Sequence, residues 1–98
     1  MKTYLVVAYD ITSDRKRARL SKKLENFLPR IQKSVFEGWV PNRRLQALER
    51  LLEEGIDLET DMVRIYTLCG RCRTLIRGLG CCSEGPAGAE VPDEIIDN

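Results

Sequence analysis

Histidine is absent from the 98 residues. Its absence excludes Ser-His-Asp and Cys-His catalysis, and any zinc site built on imidazole. Chemistry in this chain falls to carboxylates, a metal ion, Cys, Tyr, Lys or backbone groups. Long apolar runs are missing too. None reaches the roughly 18 residues that a membrane helix needs, so no membrane role is expected. The N-terminus has one lysine and a short apolar stretch that ends at Tyr9-Asp10, with no small-residue cleavage site after it. A signal peptide is therefore not expected, and a cytoplasmic location is. No internal repeat is visible. The length suits one domain with a small core, and 43% hydrophobic with 32% charged residues suits a soluble globular chain.

The formal net charge of +1 hides a split. Residues 1–50 hold 12 Lys/Arg against 5 Asp/Glu, and residues 51–98 hold 4 against 10. Such asymmetry suggests a basic surface for an anionic partner and an acidic tail, although solvated helices that happen to be basic give the same count.

The four cysteines are Cys69, Cys72, Cys81 and Cys82. A Cys-x-x-Cys pair followed by two more cysteines invites a zinc reading. Cys81 and Cys82 are adjacent, however, and neighbouring side chains reach one tetrahedral ion with difficulty, so structural zinc is disfavoured. A disulfide framework does not suit a cytosolic chain. A redox role is weaker still, because the pair follows a strand with no clear helix behind it.

Residues 3–9 are β-branched and aromatic and read as a buried strand. Asp10 closes it, and Thr12 or Ser13 offers a helix cap, with Asp14 favourable in the first turn. From Arg15 to Leu28, the spacing of Leu20, Leu24, Phe27 and Leu28 predicts an amphipathic helix, which Pro29 helps to stop. Arg15, Lys16, Arg19, Lys22 and Lys23 lie mostly off the apolar stripe. Arg17 lies in line with it, near the strand end that carries Asp10. Residues 31–40 read as one long strand with no turn signal, in which Gly38 marks a bulge or a close approach. Pro41-Asn42 opens a second helix with Leu45, Leu48, Leu51 and Leu52 as its apolar face, and Gly55 stops it. Residues 62–68 form a third strand, and Thr74 to Arg77 a short fourth. The Gly-, Pro- and acid-rich segment 81–98 reads as a tail. Two helices cover one sheet face, and symmetric dimerisation is the simplest cover for the other.

Three motifs stand in order: Tyr9-Asp10-Ile11 followed by Arg17 and Arg19; Arg30-Ile31-Gln32 leading into Ser34-Val35-Phe36-Glu37-Gly38; and Val63-Arg64-Ile65-Tyr66. Over residues 1–80 this set resembles the small core CRISPR-associated protein of spacer acquisition. The resemblance implies an α+β, ferredoxin-like fold with an antiparallel sheet and two helices on one face. It implies a homodimer through the sheet face, with a C-terminal strand extending the partner's sheet. It implies a magnesium-dependent (or other divalent-cation) endonuclease of RNA or DNA. It also implies a bridge between two dimers of the CRISPR integrase. The cysteine-rich stretch 69–82 departs from the family's pattern, and a ferredoxin-like fold wants two strands where residues 30–40 show one.

Asp10 is the candidate metal ligand and catalytic residue. A carboxylate suits Mg²⁺, which prefers oxygen and keeps several waters. The competing reading is a strand-end Asx turn, or a charge facing the helix start. Asp14 is a weaker second candidate. By the resemblance, Tyr9 positions a water or the metal shell. Arg17, Arg19 and Arg30, beside the basic Arg15 and Lys16, grip phosphates. Phe36 stacks a base. Tyr9 and Phe36 read equally well as core. The alternative to a nuclease is a non-catalytic DNA-binding dimer that bridges the integrase. A metabolite-binding regulatory domain has no pocket signal behind it.

Overall fold

Strand β1 (Lys2–Asp10) leads into helix α1 (Asp14–Leu24), and a hairpin of β2 (Arg30–Gln32) and β3 (Val35–Pro41) follows. A 3-10 turn over Asn42–Arg44 opens helix α2 (Leu45–Gly55), and strand β4 (Met62–Leu68) and the short helix α3 (Gly70–Thr74) complete the order. The computed structural model describes residues 1–80. The tail 81–98, with Cys81 and Cys82, lies outside the described residues.

The four strands form one antiparallel sheet in the order β2-β3-β1-β4. This is the α+β, ferredoxin-like arrangement expected. The pleat sends alternate residues to opposite faces. Leu5, Val7 and Tyr9 of β1 face the helices and are buried with Phe36 and Val40 of β3. Leu20, Leu24 and Leu28 close over them from the α1 side, and Leu48 and Leu52 from α2. Full burial of each such side chain is worth about 1.5–3 kcal/mol, so the two amphipathic stripes settle which face the helices cover.

The other face carries Tyr4, Val6, Ala8 and Asp10 of β1, with Glu37 and Trp39 of β3 and Met62, Arg64 and Tyr66 of β4. Met62 and Tyr66 are exposed there. Tyr4 is buried nonetheless. Its hydroxyl donates to Glu37 Oε2 at 2.6 Å, and its ring meets Trp39 edge-on at 5.1 Å. Arg73 of α3 lies over the Trp39 ring at 5.1 Å, so α3 is stitched to this face.

Three expectations are corrected. Residues 31–40 are not one strand: Gln32 pairs with Val35, and the two-residue turn Lys33-Ser34 lies between them. Neither residue is Gly, Asn or Asp, so the usual hairpin signal is missing. The turn is secured from outside, where Ser34 O accepts the Tyr9 N–H at 3.1 Å. Helix α1 ends at Leu24 rather than Leu28. Phe27 and Leu28 both donate to Leu24 O in a tighter turn, and Arg44 takes the Asn26 carbonyl at 3.1 Å. The Thr74–Arg77 strand does not form. That stretch is β-branched and apolar, yet its amides are drawn back into the turn that precedes it. Leu75 N bonds to Cys72 O, and Ile76 N to Arg73 O.

Two glycines work by close approach. A Cβ at Gly38 would meet Pro29 Cδ at 3.0 Å, while β3 keeps unbroken register with β1 past this point. A Cβ at Gly55 would meet Leu20 Cδ1 at 2.9 Å, where α2 leans on α1.

Candidate nucleic-acid interface and metal-binding end

Four segments converge at one end of the sheet: the β1 exit at Asp10, the N-terminus of α1, the Lys33-Ser34 turn and the Asp57–Asp61 loop before β4. Antiparallel pairing dictates this, because Asp10 stands opposite Met62 and Ala8 opposite Val35.

Asp10 is exposed and, by the strand alternation, on the uncovered face. Its carboxylate makes no hydrogen bond or ion pair among the described residues. The Asx-turn reading loses its support here, and the capping hydrogen bond of α1 comes from another residue. Ser13, not Asp10, caps α1, its Oγ accepting the Lys16 N–H at 3.3 Å. No Asx turn forms at Asp10 either. A strand-end carboxylate left open to solvent is available to an ion.

The loop behind Asp10 is held from two sides. Arg17 donates from Nη1 to Ile11 O at 2.9 Å and from Nη2 to Asp14 Oδ1. The inward direction implied by its helical position is therefore correct, and its donors serve the loop. On the other side stands Asp61, which sequence reasoning misses. Its Oδ1 accepts from the Thr12 N–H at 3.1 Å, from the Thr12 hydroxyl at 3.2 Å and from the Thr60 hydroxyl at 3.1 Å. Its Oδ2 accepts from the Asp57 N–H at 2.8 Å. These donors, the Asp57 and Thr12 amides first, hold the Asp61 carboxyl below the ordinary aspartate range. The signal for this latch is the polar run Asp57-Leu58-Glu59-Thr60-Asp61 between a helix stop and a strand.

The remaining candidates separate. Tyr9 and Phe36 are in the helix-side core, 5% and 0% exposed, with stacked rings at 6.2 Å. Phe36 offers no face to a base in this arrangement. The Tyr9 hydroxyl is buried without a hydrogen-bond partner, on the opposite side of the sheet from Asp10. Arg15, Lys16 and Arg19 are exposed on α1. Lys16, Arg19 and Lys23 line a shallow cavity of about 150 Å³ whose other wall is Leu51, Glu54 and Gly55 of α2 with Ile56 just beyond it. Arg30 sits on the outer strand β2 with its guanidinium 5.5 Å from the Phe36 ring centroid and 3.8 Å from Glu25. Asp10, Arg15, Lys16 and Arg17 are thus brought to one end, whereas the side chains of Tyr9 and Phe36 turn into the core.

No three His, Cys, Asp or Glu side chains gather into a metal cage among the described residues. Among the described residues, Asp10 is the candidate carboxylate left without a hydrogen bond or ion pair at this end. One carboxylate suits an ion that keeps most of its waters, but one alone makes a thin site. Structural zinc finds only Cys69 and Cys72 among the described residues. No helix among them is long and apolar enough to cross a membrane.

Residues 1–75 match the family model for CRISPR associated protein Cas2. The chain belongs to the Cas2 family. A relative from Thermus thermophilus, named CRISPR-associated endonuclease Cas2 2, is 38% identical over 74 residues, which are 76% of this chain and 82% of that protein. One from Chloroflexus aurantiacus, named CRISPR-associated endoribonuclease Cas2 3, is 35% identical over 88 residues, 88% of this chain and 95% of its own. Among solved structures, Streptococcus pyogenes Cas2 at pH 6.5 superposes with a TM-score of 0.69 at 26% identity, covering 79% of this chain and 99% of that one. A chain from a partial Cas6-RT-Cas1–Cas2 complex matches with a TM-score of 0.62 at 26% identity, covering 86% and 94%. The ferredoxin-like expectation and the Cas2 fold therefore agree, including the two strands between the helices.

Proposed function

We propose that this Cas2-family chain is a divalent-cation-dependent endonuclease of RNA or DNA that acts as a homodimer in CRISPR adaptation. The observation that carries the reading is Asp10: an exposed, unpartnered carboxylate at the end of a central strand, on the face opposite α1 and α2. Pairing two such faces about a two-fold axis brings two Asp10 carboxylates toward one another. The paired Asp10 carboxylates would hold a magnesium ion, which would supply an activated water and charge neutralisation at the scissile phosphate. Arg17 and Asp61 hold the loop that sets the Asp10 backbone. Arg15, Lys16 and Arg19 bind phosphates on either side of the scissile bond. Relatives named endonuclease and endoribonuclease support the reaction class.

A second reading has its own observation. The basic stripe of α1 is continuous and exposed, whereas the acidic machinery is one residue per chain. A dimer with that stripe on each side binds duplex DNA without cutting it and bridges integrase dimers, and the likeness to a chain from a Cas1–Cas2 complex supports an integrase partner.

Labelled single-stranded RNA and double-stranded DNA, incubated with wild type or Asp10→Asn in Mg²⁺ or EDTA, separate the two. Cutting that needs the cation and vanishes in the variant supports the nuclease. Cutting that is absent, or unchanged in Asp10→Asn, removes it and leaves the bridging dimer.

A further inference from the structure

The sequence argues against a redox role for Cys69-x-x-Cys72 because no helix is visible behind it. The structure reverses that premise. Helix α3 starts at Gly70 and Cys69 is its N-cap residue, with Sγ accepting the Cys72 N–H at 3.4 Å. The three-residue spacing brings both side chains to one side of the first turn. Both thiols are free and exposed, which is unusual for cysteines that only pack.

The two thiols are also unlike each other. Hydrogen bonds from Cys72, its N–H first, hold the Cys69 thiol below the usual cysteine range. The Cys72 thiol is pushed up, first by its own hydrogen bond to the Cys69 side chain and then by the charge there. The hydrogen bonding around the pair therefore favours the thiolate form at Cys69 over Cys72.

We propose that Cys69 and Cys72 form a reversible dithiol–disulfide couple that exchanges with disulfides of other molecules, with Cys69 as the attacking sulfur. The Cys69 thiolate attacks one sulfur of the incoming disulfide. A mixed disulfide forms, and the other half leaves as a thiolate that takes up a proton. Cys72 then loses its proton and attacks Cys69 Sγ, expelling the second half as a thiol. The protein dithiol is oxidised by two electrons, and the incoming disulfide is reduced to two thiols. The couple sits where β4 turns into α3, the helix that places Arg73 over Trp39. Closing the bond ties the first turn of α3 to the residue that caps it.

The test uses the full chain equilibrated in mixtures of oxidised and reduced glutathione, quenched with acid, alkylated and digested with trypsin. Cleavage after Arg71 separates the two cysteines, so their bond appears as the peptide Ile65–Arg71 linked to Cys72–Arg73. The expected result is that linked pair, rising and falling reversibly with the glutathione ratio. Cys72→Ser is expected to accumulate a glutathione adduct on Cys69. In the single variants at neutral pH, Cys69 is expected to alkylate several-fold faster than Cys72. The proposal is overturned by independent alkylation of both cysteines across the whole range, by stable glutathione adducts in wild type, or by bonds to Cys81 or Cys82 instead. The reverse order of alkylation overturns the choice of Cys69 as nucleophile.

Discussion

Asp61 holds Thr12 by two hydrogen bonds at once, from its amide at 3.1 Å and its hydroxyl at 3.2 Å, and so ties the loop before β4 to the loop that leaves Asp10. The carboxylate must be ionised to accept all of its donors. Folding lowers its pKa, so its contribution to stability is complete above the ordinary value of 3.8 and is lost as pH falls below that value. Thermal melts are expected to show a steeper acid-side fall in Tm for wild type than for Asp61→Asn, with little difference in slope near neutrality. Equal slopes count against the latch. Cleavage or DNA binding in Asp61→Asn is expected to weaken without a loss of the fold, because Asp10 stays in place in the sequence while the loop behind it loses its support.

Phe36 lies fully inside the helix-side core. Phe36→Ala is expected to cost about 3–5 kcal/mol in urea unfolding, as other large-to-small core changes do. Phe36→Leu, which keeps most of the volume, is expected to retain nucleic-acid affinity. A large drop in affinity in a folded Phe36→Leu variant returns the base-stacking role to this residue.

Tyr9 buries a hydroxyl with no partner. Tyr9→Phe removes an unsatisfied polar group, so the variant is expected to be as stable as wild type or more stable by about 1 kcal/mol. Its cleavage is expected to match wild type. A large drop in rate, with stability retained, places the hydroxyl in the reaction after all.

The exposed Lys16, Arg19 and Lys23 line one cavity wall on α1. Their replacement by Glu is expected to weaken duplex binding regardless of sequence. Every phosphate that these side chains no longer neutralise should flatten the plot of log affinity against log salt by about 0.9. A salt slope that does not change moves the interface off this helix.

Gly38 faces Pro29 closely enough that a Cβ there would meet Pro29 Cδ at 3.0 Å, so the proline ring must shift to admit one. Gly38→Ala is expected to destabilise by about 1–3 kcal/mol through overpacking. The fall in Tm checks it. Full stability in the variant shows that Pro29 yields.

Much of the fold is legible in the sequence because periodicity reports which face is buried. Leu20, Leu24 and Leu28 at four-residue spacing belong to one stripe whatever they pack against, and alternation in residues 3–9 marks a strand with two faces. The inward direction of Arg17 follows for the same reason. Local signals fail where the stabilising partner is remote in sequence. The Lys33-Ser34 turn carries no turn residue of its own and is secured by Tyr9. Residues 74–77 have strand propensity, but Leu75 and Ile76 spend their amides on the carbonyls of Cys72 and Arg73.

The sequence by itself determined the family, the two amphipathic helices and the candidacy of Asp10, because these rest on residue types and spacings within short stretches. Only the tertiary structure decided that Tyr9 and Phe36 are core, that Asp61 latches the Asp10 loop, and that a helix opens at Cys69. Burial and hydrogen-bond satisfaction depend on which distant residues meet. Strand pairing, which brings residues 10 and 62 face to face, is a property of the whole sheet.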